Sequence, residues 1–167
     1  MNSELLVIGY GNTLRRDDGV GARVAETVET LRLAGVRTLT CPQLTPELAD
    51  PISRAEAVVF VDASAEGPLA HVSLRRLEPA GSSRVLTHTA DPGTLLALAR
   101  DVYGRAPAAW CLTVPAEEIG FGEELSPVAR RGLKLAVKRL RDFHRRRTAR
   151  SRRPGGGEGK RLTHPHA

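Results

Sequence analysis

The chain has 167 residues, 41% of them hydrophobic, which suits one globular domain with a sizeable core. Its net charge of +6 would suggest a nucleic-acid-binding protein, but residues 145–167 alone carry a net +7, so residues 1–144 sum to −1 and form a nearly neutral body. The two cysteines lie 70 positions apart with no C-x-x-C pair, which excludes a disulfide framework and a zinc ribbon.

The first predicted element is a buried strand that runs into a glycine-rich turn. Residues 5–8 form a short, uninterrupted apolar run, typical of a parallel strand covered on both faces. The turn ends in two adjacent carboxylates, Asp17 and Asp18, and apolar residues recur at helical spacing from Val20. One carboxylate is expected to cap this helix. The other lies where open α/β sheets bind ligands.

Two nucleotide-binding motifs are disfavoured at this turn. The dinucleotide pattern G-x-G-x-x-G would need glycine at position 14, where the chain has Leu14, and the two carboxylates would repel a pyrophosphate. A P-loop is excluded because no Gly-Lys-Ser/Thr follows the turn. The acidic turn instead favours a cation or a polarised water.

The remaining elements alternate between strands and helices. Strands are predicted at residues 36–41, 57–61 (ending at Asp62), 72–77 and 109–114, and helical segments begin at Thr45-Pro46, Asp91-Pro92 and Ser126-Pro127. The strand at 72–77 follows its predecessor after too short a connection for a parallel crossover, so it should pair antiparallel. The pattern predicts an α/β fold of three α/β/α layers, with a mostly parallel sheet of about five strands.

The domain is predicted to span residues 1–147, with a disordered basic tail over 148–167. The tail has almost no apolar residues with which to build a core. A solvated terminus is favoured over an arm that contacts RNA or a membrane, because no aromatic residue lies among the basic ones. The chain begins a strand by about residue 5 without a signal-peptide core and has no run of 18 apolar residues, so we expect a cytoplasmic protein.

Three side chains are expected to meet at one edge of the sheet. Asp62 directly follows the apolar run at 57–61, so it should lie beside Asp18 at the carboxyl ends of parallel strands. His88 precedes a helix after another hydrophobic stretch and is expected at the same rim. Two carboxylates and one imidazole suit a first-row metal such as Ni, Zn or Fe with positions left open.

The motif resembles that of a known enzyme family. The pattern G-x-G-N-x-L-x-x-D-D-G-x-G from Gly9 to Gly21, followed in order by Asp62 and His88, resembles the hydrogenase maturation proteases, which trim the C-terminal extension from the large subunit of [NiFe] hydrogenases. The resemblance covers about residues 4–143. It implies that Asp18, Asp62 and His88 contact nickel, that the nickel arrives with the substrate, and that the partner is the large-subunit precursor.

The residues support hydrolysis by activated water, as in an aspartic-type endopeptidase. There is no G-x-S-x-G motif, and neither Cys41 nor Cys111 has an evident histidine partner, so a serine or cysteine nucleophile is not indicated. A non-catalytic, chaperone-like module that checks for nickel stays open as an alternative. The chain departs from the family's pattern at residues 41–44, where many members have glycine, and in its basic tail.

Overall fold

The structure is a computed structural model that describes residues 4–81 and 90–152. Within these residues the elements, in chain order, are β1 (Leu5–Tyr10), α1 (Val20–Thr30), β2 (Val36–Cys41), α2 (Ala49–Arg54), β3 (Ala57–Ser64), β4 (Ser73–Leu77), α3 (Pro92–Tyr103), β5 (Ala108–Pro115) and α4 (Pro127–Ser151). Short 3-10 turns at Arg16–Gly19 and Pro46–Leu48 precede α1 and α2. The candidate residue His88 lies outside the described residues.

The strands form one sheet in the order β2-β1-β3-β5-β4. β2, β1, β3 and β5 are parallel, and β4 runs antiparallel to β5. The predicted mostly parallel sheet, with one antiparallel strand, is therefore confirmed. Although β4 follows β3 in sequence, β5 lies between them, because α3 returns the chain to the strand position next to β3.

Helices cover both faces of the sheet, so the predicted three layers are also confirmed. On one face α1 and α4 pack on a core that includes Val7, Val59 and Leu140. On the other face α2 and α3 pack on Ile8 and Phe60. Because both faces are covered, β1 and β3 are apolar through most of their length, as expected of parallel strands. No helix in the described parts of the chain is long and apolar enough to cross a membrane.

Two element ends differ from the sequence prediction. β3 was predicted to end at Asp62 but continues to Ser64, because its last residues pair with β5, Asp62 opposite Thr113. α4 continues to Ser151, past the predicted boundary at residue 147. At that boundary, the guanidinium of Arg147 lies 5.9 Å from the ring centroid of Trp110. The prediction of a disordered tail remains untested over residues 153–167, which are not among those described.

Candidate active site

The turn after β1 presents Asp18 at the carboxyl edge of the sheet. Gly11 has φ +134°, and a side chain there would collide with the backbone oxygen of Asp18. The turn closes through Asn12, whose side-chain oxygen accepts from the N–H of Leu14 at 2.9 Å. The backbone N–H of Asn12 donates to Asp18 Oδ2, also at 2.9 Å. The local fold therefore fixes the carboxylate of Asp18, which is half-buried.

Asp17 has a different role from its neighbour. It is 0% exposed. Its carboxylate accepts four hydrogen bonds of 2.6–2.9 Å, from the N–H groups of Glu117, Glu118 and Ser126 and from the hydroxyl of Ser126. Burial by itself would raise the pKa of Asp17, but these hydrogen bonds outweigh it and the pKa is lowered. Asp17 is therefore a structural anchor for the chain that enters α4.

Neither aspartate caps α1, which corrects the sequence prediction that one of them would. The residue before α1 is Gly19, and no side chain accepts a hydrogen bond there. Both carboxylates belong to the 3-10 turn before the helix, and each accepts hydrogen bonds from partners other than the first N–H groups of α1. Two later helices carry a side-chain cap: Asp91 accepts from the N–H of Thr94, and Ser126 accepts from the N–H of Ala129. The expected cap at Thr45 is wrong, because its side chain makes no capping hydrogen bond to the turn that follows.

Asp62 lies beside Tyr10 on one face of the sheet. Gly9 pairs with Val61 in the β1–β3 register, so the next residues, Tyr10 and Asp62, face each other across the strands. The Tyr10 hydroxyl donates a hydrogen bond to the Asp62 carboxylate. Burial and the charge of Asp62 raise the pKa of Tyr10, so this hydroxyl keeps its proton.

In the structure the negative charge of Asp18 acts on the carboxylate of Asp62. The pKa of Asp62 is raised, first by burial and also by the negative charge of Asp18, against the opposing hydrogen bonds from Tyr10 and the backbone of Ala63. A carboxylate with a raised pKa is a better base, and two neighbouring negative charges favour a cation. The charge of Asp18 thus acts on Asp62, and the three-residue site stays a prediction.

The third predicted side chain, His88, lies outside the described residues, so its position is not compared. The described chain resumes at Ala90, whose N–H donates to the Leu44 carbonyl at 3.1 Å. Within residues 4–81 and 90–152 no group of three or more His, Cys, Asp or Glu side chains is placed to hold a metal ion.

Two cysteines lie on the face of the sheet that carries Asp62. Cys41 pairs with Tyr10 in the β1–β2 register, and Cys111 pairs with Phe60 in the β3–β5 register. Burial raises the pKa of both thiols, and the charge of Asp62 raises that of Cys111 further, against a hydrogen bond with Thr113. A protonated thiol is a poor nucleophile. This agrees with the prediction that neither cysteine is the reactive group.

An open groove of about 300 Å³ runs beside the turn that carries Asp18. Its walls are the β1 turn, the end of β2 and the outer side of α1, with Asn12, Leu14, Glu26, Cys41 and Pro42 among the lining residues. The chain at 41–44, where the sequence departs from the family's glycine, thus forms one wall of this groove. An extended peptide could reach the carboxyl edge of the sheet along it.

The sequence alone did not identify Tyr10 or the structural role of Asp17. For Tyr10 the sequence signal is weak: it is a tyrosine between two turn glycines at the end of a buried strand. The role of Asp17 has no local signal, because its hydrogen-bond partners are about 100 residues away in the chain.

No protein-family model matches the chain, and no curated protein matches it. Solved structures do match. The hydrogenase maturating endopeptidase HybD from E. coli is 21% identical, with a TM-score of 0.65 over 86% of this chain and 93% of that one. The [NiFe] hydrogenase maturation protease HybD from Thermococcus kodakarensis is 22% identical, with a TM-score of 0.66 over 84% and 98%. HycI from the KOD1 strain of the same organism is 23% identical, with a TM-score of 0.66 over 85% and 93%.

These structures share the whole fold of this chain, including the three layers described above. The fold implied by the resemblance to hydrogenase maturation proteases is therefore confirmed. The aligned parts cover most of both chains, so the match is to a complete domain and not to a common supersecondary motif.

Proposed function

We propose that this protein is a hydrogenase maturation protease, an endopeptidase that removes the C-terminal extension of a [NiFe] hydrogenase large-subunit precursor that already holds nickel. The observation that carries the proposal is the convergence of Asp18 and Asp62 at the carboxyl edge of the sheet. The solved structures that share this fold are themselves named as hydrogenase maturation proteases. The proposal combines the chemistry of the two carboxylates with the activity for which the matching structures are named.

In this proposal nickel is part of the substrate. Asp18, Asp62 and His88 contact it, and the incomplete ligand set within the described residues is in keeping with a metal whose other ligands come from the precursor. Binding of the metal ion would relieve the repulsion between the two carboxylates, which is a reason for the protease to prefer a nickel-loaded precursor.

Asp62 is the proposed base for hydrolysis. It would take a proton from water as the oxygen attacks the scissile carbonyl, and return that proton to the departing amine. Its raised pKa suits this exchange, and the hydrogen bond from Tyr10 holds its carboxylate in one orientation. A metal-polarised carbonyl would lower the barrier to the attack.

The experiment incubates the purified protein with nickel-loaded and nickel-free precursor and measures shortening of the precursor. We expect only the loaded precursor to be shortened.

The variants Asp18→Ala, Asp62→Ala and His88→Ala should each abolish cleavage. The control Asp142→Ala, which removes a surface carboxylate on α4 that pairs with Arg145, should not. Equal cleavage of nickel-free precursor would refute the nickel requirement. Tight binding of loaded precursor without shortening would support the non-catalytic module instead.

A further inference from the structure

The segment between β5 and α4 forms an exposed loop next to the candidate active site. The loop spans residues 117–124 and reads Glu-Glu-Ile-Gly-Phe-Gly-Glu-Glu, and all eight residues are exposed. Phe121 at its tip is 96% exposed. A fully exposed phenylalanine contributes little to folding stability and tends to favour aggregation, so its presence calls for a binding role.

The loop is held rigidly against the turn that carries Asp18. Its two ends are fixed by the hydrogen bonds to Asp17 described above. At its centre, Gly122 exchanges backbone hydrogen bonds with the turn: its N–H donates to Leu14 at 3.0 Å, and its carbonyl accepts from Arg16 at 2.8 Å. Arg16 also forms an ion pair with Glu118. The position of Phe121 is therefore set by the same residues that set Asp18.

The turn and the loop together present three exposed apolar side chains. We define the apolar loop surface as Leu14, Ile119 and Phe121. Leu14 is 56% exposed, and its carbonyl is bonded to the residue that follows Phe121. Rigid aromatic side chains that need no ordering on binding are the usual anchors of protein interfaces.

The surroundings of this surface are acidic on balance. The loop contributes four glutamates, of which Glu118 is paired with Arg16. The turn contributes Arg15 and Arg16 together with Asp17 and Asp18, so the two segments sum to −4. Such a surface suits a partner with an apolar pocket bordered by lysines or arginines.

We propose that the apolar loop surface is the docking site for the protein substrate, and that the substrate offers an apolar pocket with a basic border that receives Phe121. This inference rests on the proposed function, because it identifies the occupant as the large-subunit precursor. Continuity supports that choice over a second copy of this chain: Leu14 lies on the same turn as Asp18, and the loop that carries Phe121 is hydrogen-bonded to that turn, so a partner bound there is placed near the carboxylates. Docking at Phe121 would keep the precursor bound while its C-terminal segment reaches Asp62.

The test compares Phe121→Ala with Val102→Ala in steady-state cleavage of nickel-loaded precursor. Val102, on α3, is 63% exposed and serves as a matched control, because it is apolar and exposed like Phe121 but belongs to a different element. We expect Phe121→Ala to raise KM about thirtyfold, the effect typical of an interface anchor, with kcat nearly unchanged. Val102→Ala should change neither constant. Circular dichroism should show that both variants fold, since neither removes a buried contact.

The outcomes separate this inference from the proposed function. Cleavage by the wild-type protein with an unchanged KM in Phe121→Ala would overturn the docking site and leave the protease function standing. Precursor binding that depends on Phe121 without any cleavage would support the docking site and overturn the protease function. If the wild-type protein neither binds nor cleaves precursor, or if Phe121 proves to be buried in a homodimer by sedimentation analysis, the docking site is refuted.

Discussion

Asp17 and Asp18 are adjacent carboxylates whose surroundings give them different tasks. Asp17 is buried and fully hydrogen-bonded, while Asp18 is half-buried and faces Asp62. The sequence predicted a functional role for one of the pair, because two carboxylates in one turn exceed what a helix cap needs. It could not tell which carboxylate faces the site, because that depends on the loop about 100 residues later in the chain. Once that loop is placed, only Asp18 remains free for chemistry.

Asp17→Ala should therefore destabilise the protein strongly. Removing the carboxylate leaves three N–H groups and the Ser126 hydroxyl buried without an acceptor, at a cost of about 3–5 kcal/mol. Asp18→Ala is the matched control: it loses one backbone hydrogen bond and should cost about 1 kcal/mol or less. Urea unfolding at pH 7 measures both; equal midpoints for the two variants would contradict the anchor role.

The cost of Asp17→Ala should also depend on pH. The folded-state pKa of Asp17 lies below its ordinary value of 3.8, so the stabilisation is complete above about pH 4 and is lost as the pH falls through the folded value. The difference between wild type and variant should consequently shrink toward pH 2. A constant difference would mean that the ionised carboxylate is not what holds the loop.

Asp62→Asn should separate stability from activity. Because the pKa of Asp62 is raised in the folded state, its charge costs stability once the pH exceeds the folded value, and no such cost exists well below pH 3.8. Asparagine removes the charge but can still accept from Tyr10. We expect a gain of roughly 0.5–2 kcal/mol at pH 7, none at pH 2.5, and a loss of at least about a hundredfold in precursor cleavage. A destabilised variant at pH 7 would mean that the charged form of Asp62 is favoured by the fold.

At the scale of elements, the apolar runs and the proline-marked helix starts carried most of the information. The strands and the caps at Asp91 and Ser126 were predicted because their signals are local. The end of β3 was not predicted correctly. In the sequence Asp62 resembles a loop residue, and its pairing with β5 becomes visible only in the structure. Close approaches between elements were likewise hidden, since they depend on how a helix packs against the sheet.

Gly21→Ala tests one such approach, at the start of α1. A side chain there would collide with the backbone oxygen of Val61, which the sheet holds in place. Relief requires α1 to move away from β3 together with the turn that carries Asp18, so we expect a loss of about 1–3 kcal/mol and slower cleavage. Gly81→Ala is the control: nothing lies within 4 Å of a side chain placed there, so the added methyl meets open space.

The two variants are compared by thermal unfolding and by cleavage rate. Gly81→Ala should stay within about 0.5 kcal/mol of the wild type and cleave normally, because a surface substitution that meets no neighbour changes stability little. Similar losses for both variants would show that the approach of Gly21 to Val61 is not what makes its glycine necessary, and that α1 does not fix the site.

At the scale of the whole molecule, the sequence predicted a nearly neutral body with a basic C-terminal end. The structure shows that part of this basic end packs against the body. Arg147 lies on the rings of Trp110 and Phe143 and pairs with Glu56 at 3.6 Å, so the contacts of the body reach past residue 144. The charge count could not reveal this, because an arginine that packs through its guanidinium contributes the same +1 as a solvated one. The packed part of the chain therefore includes Arg147.

Two truncations test that boundary. Removing residues 153–167 lowers the net charge from +6 to +4 and should leave the unfolding midpoint and precursor cleavage unchanged, since the packed residues of α4 all remain. Ending the chain at Arg146 lowers the net charge to +1 and also removes Arg147, which should cost about 1–2 kcal/mol for the cation–π contacts and the ion pair. Retention on a polyanionic resin across a salt gradient should weaken in the order of net charge. Loss of cleavage in the longer truncated protein, with its midpoint unchanged, would show that residues 153–167 take part in binding the substrate and are not a dispensable basic end.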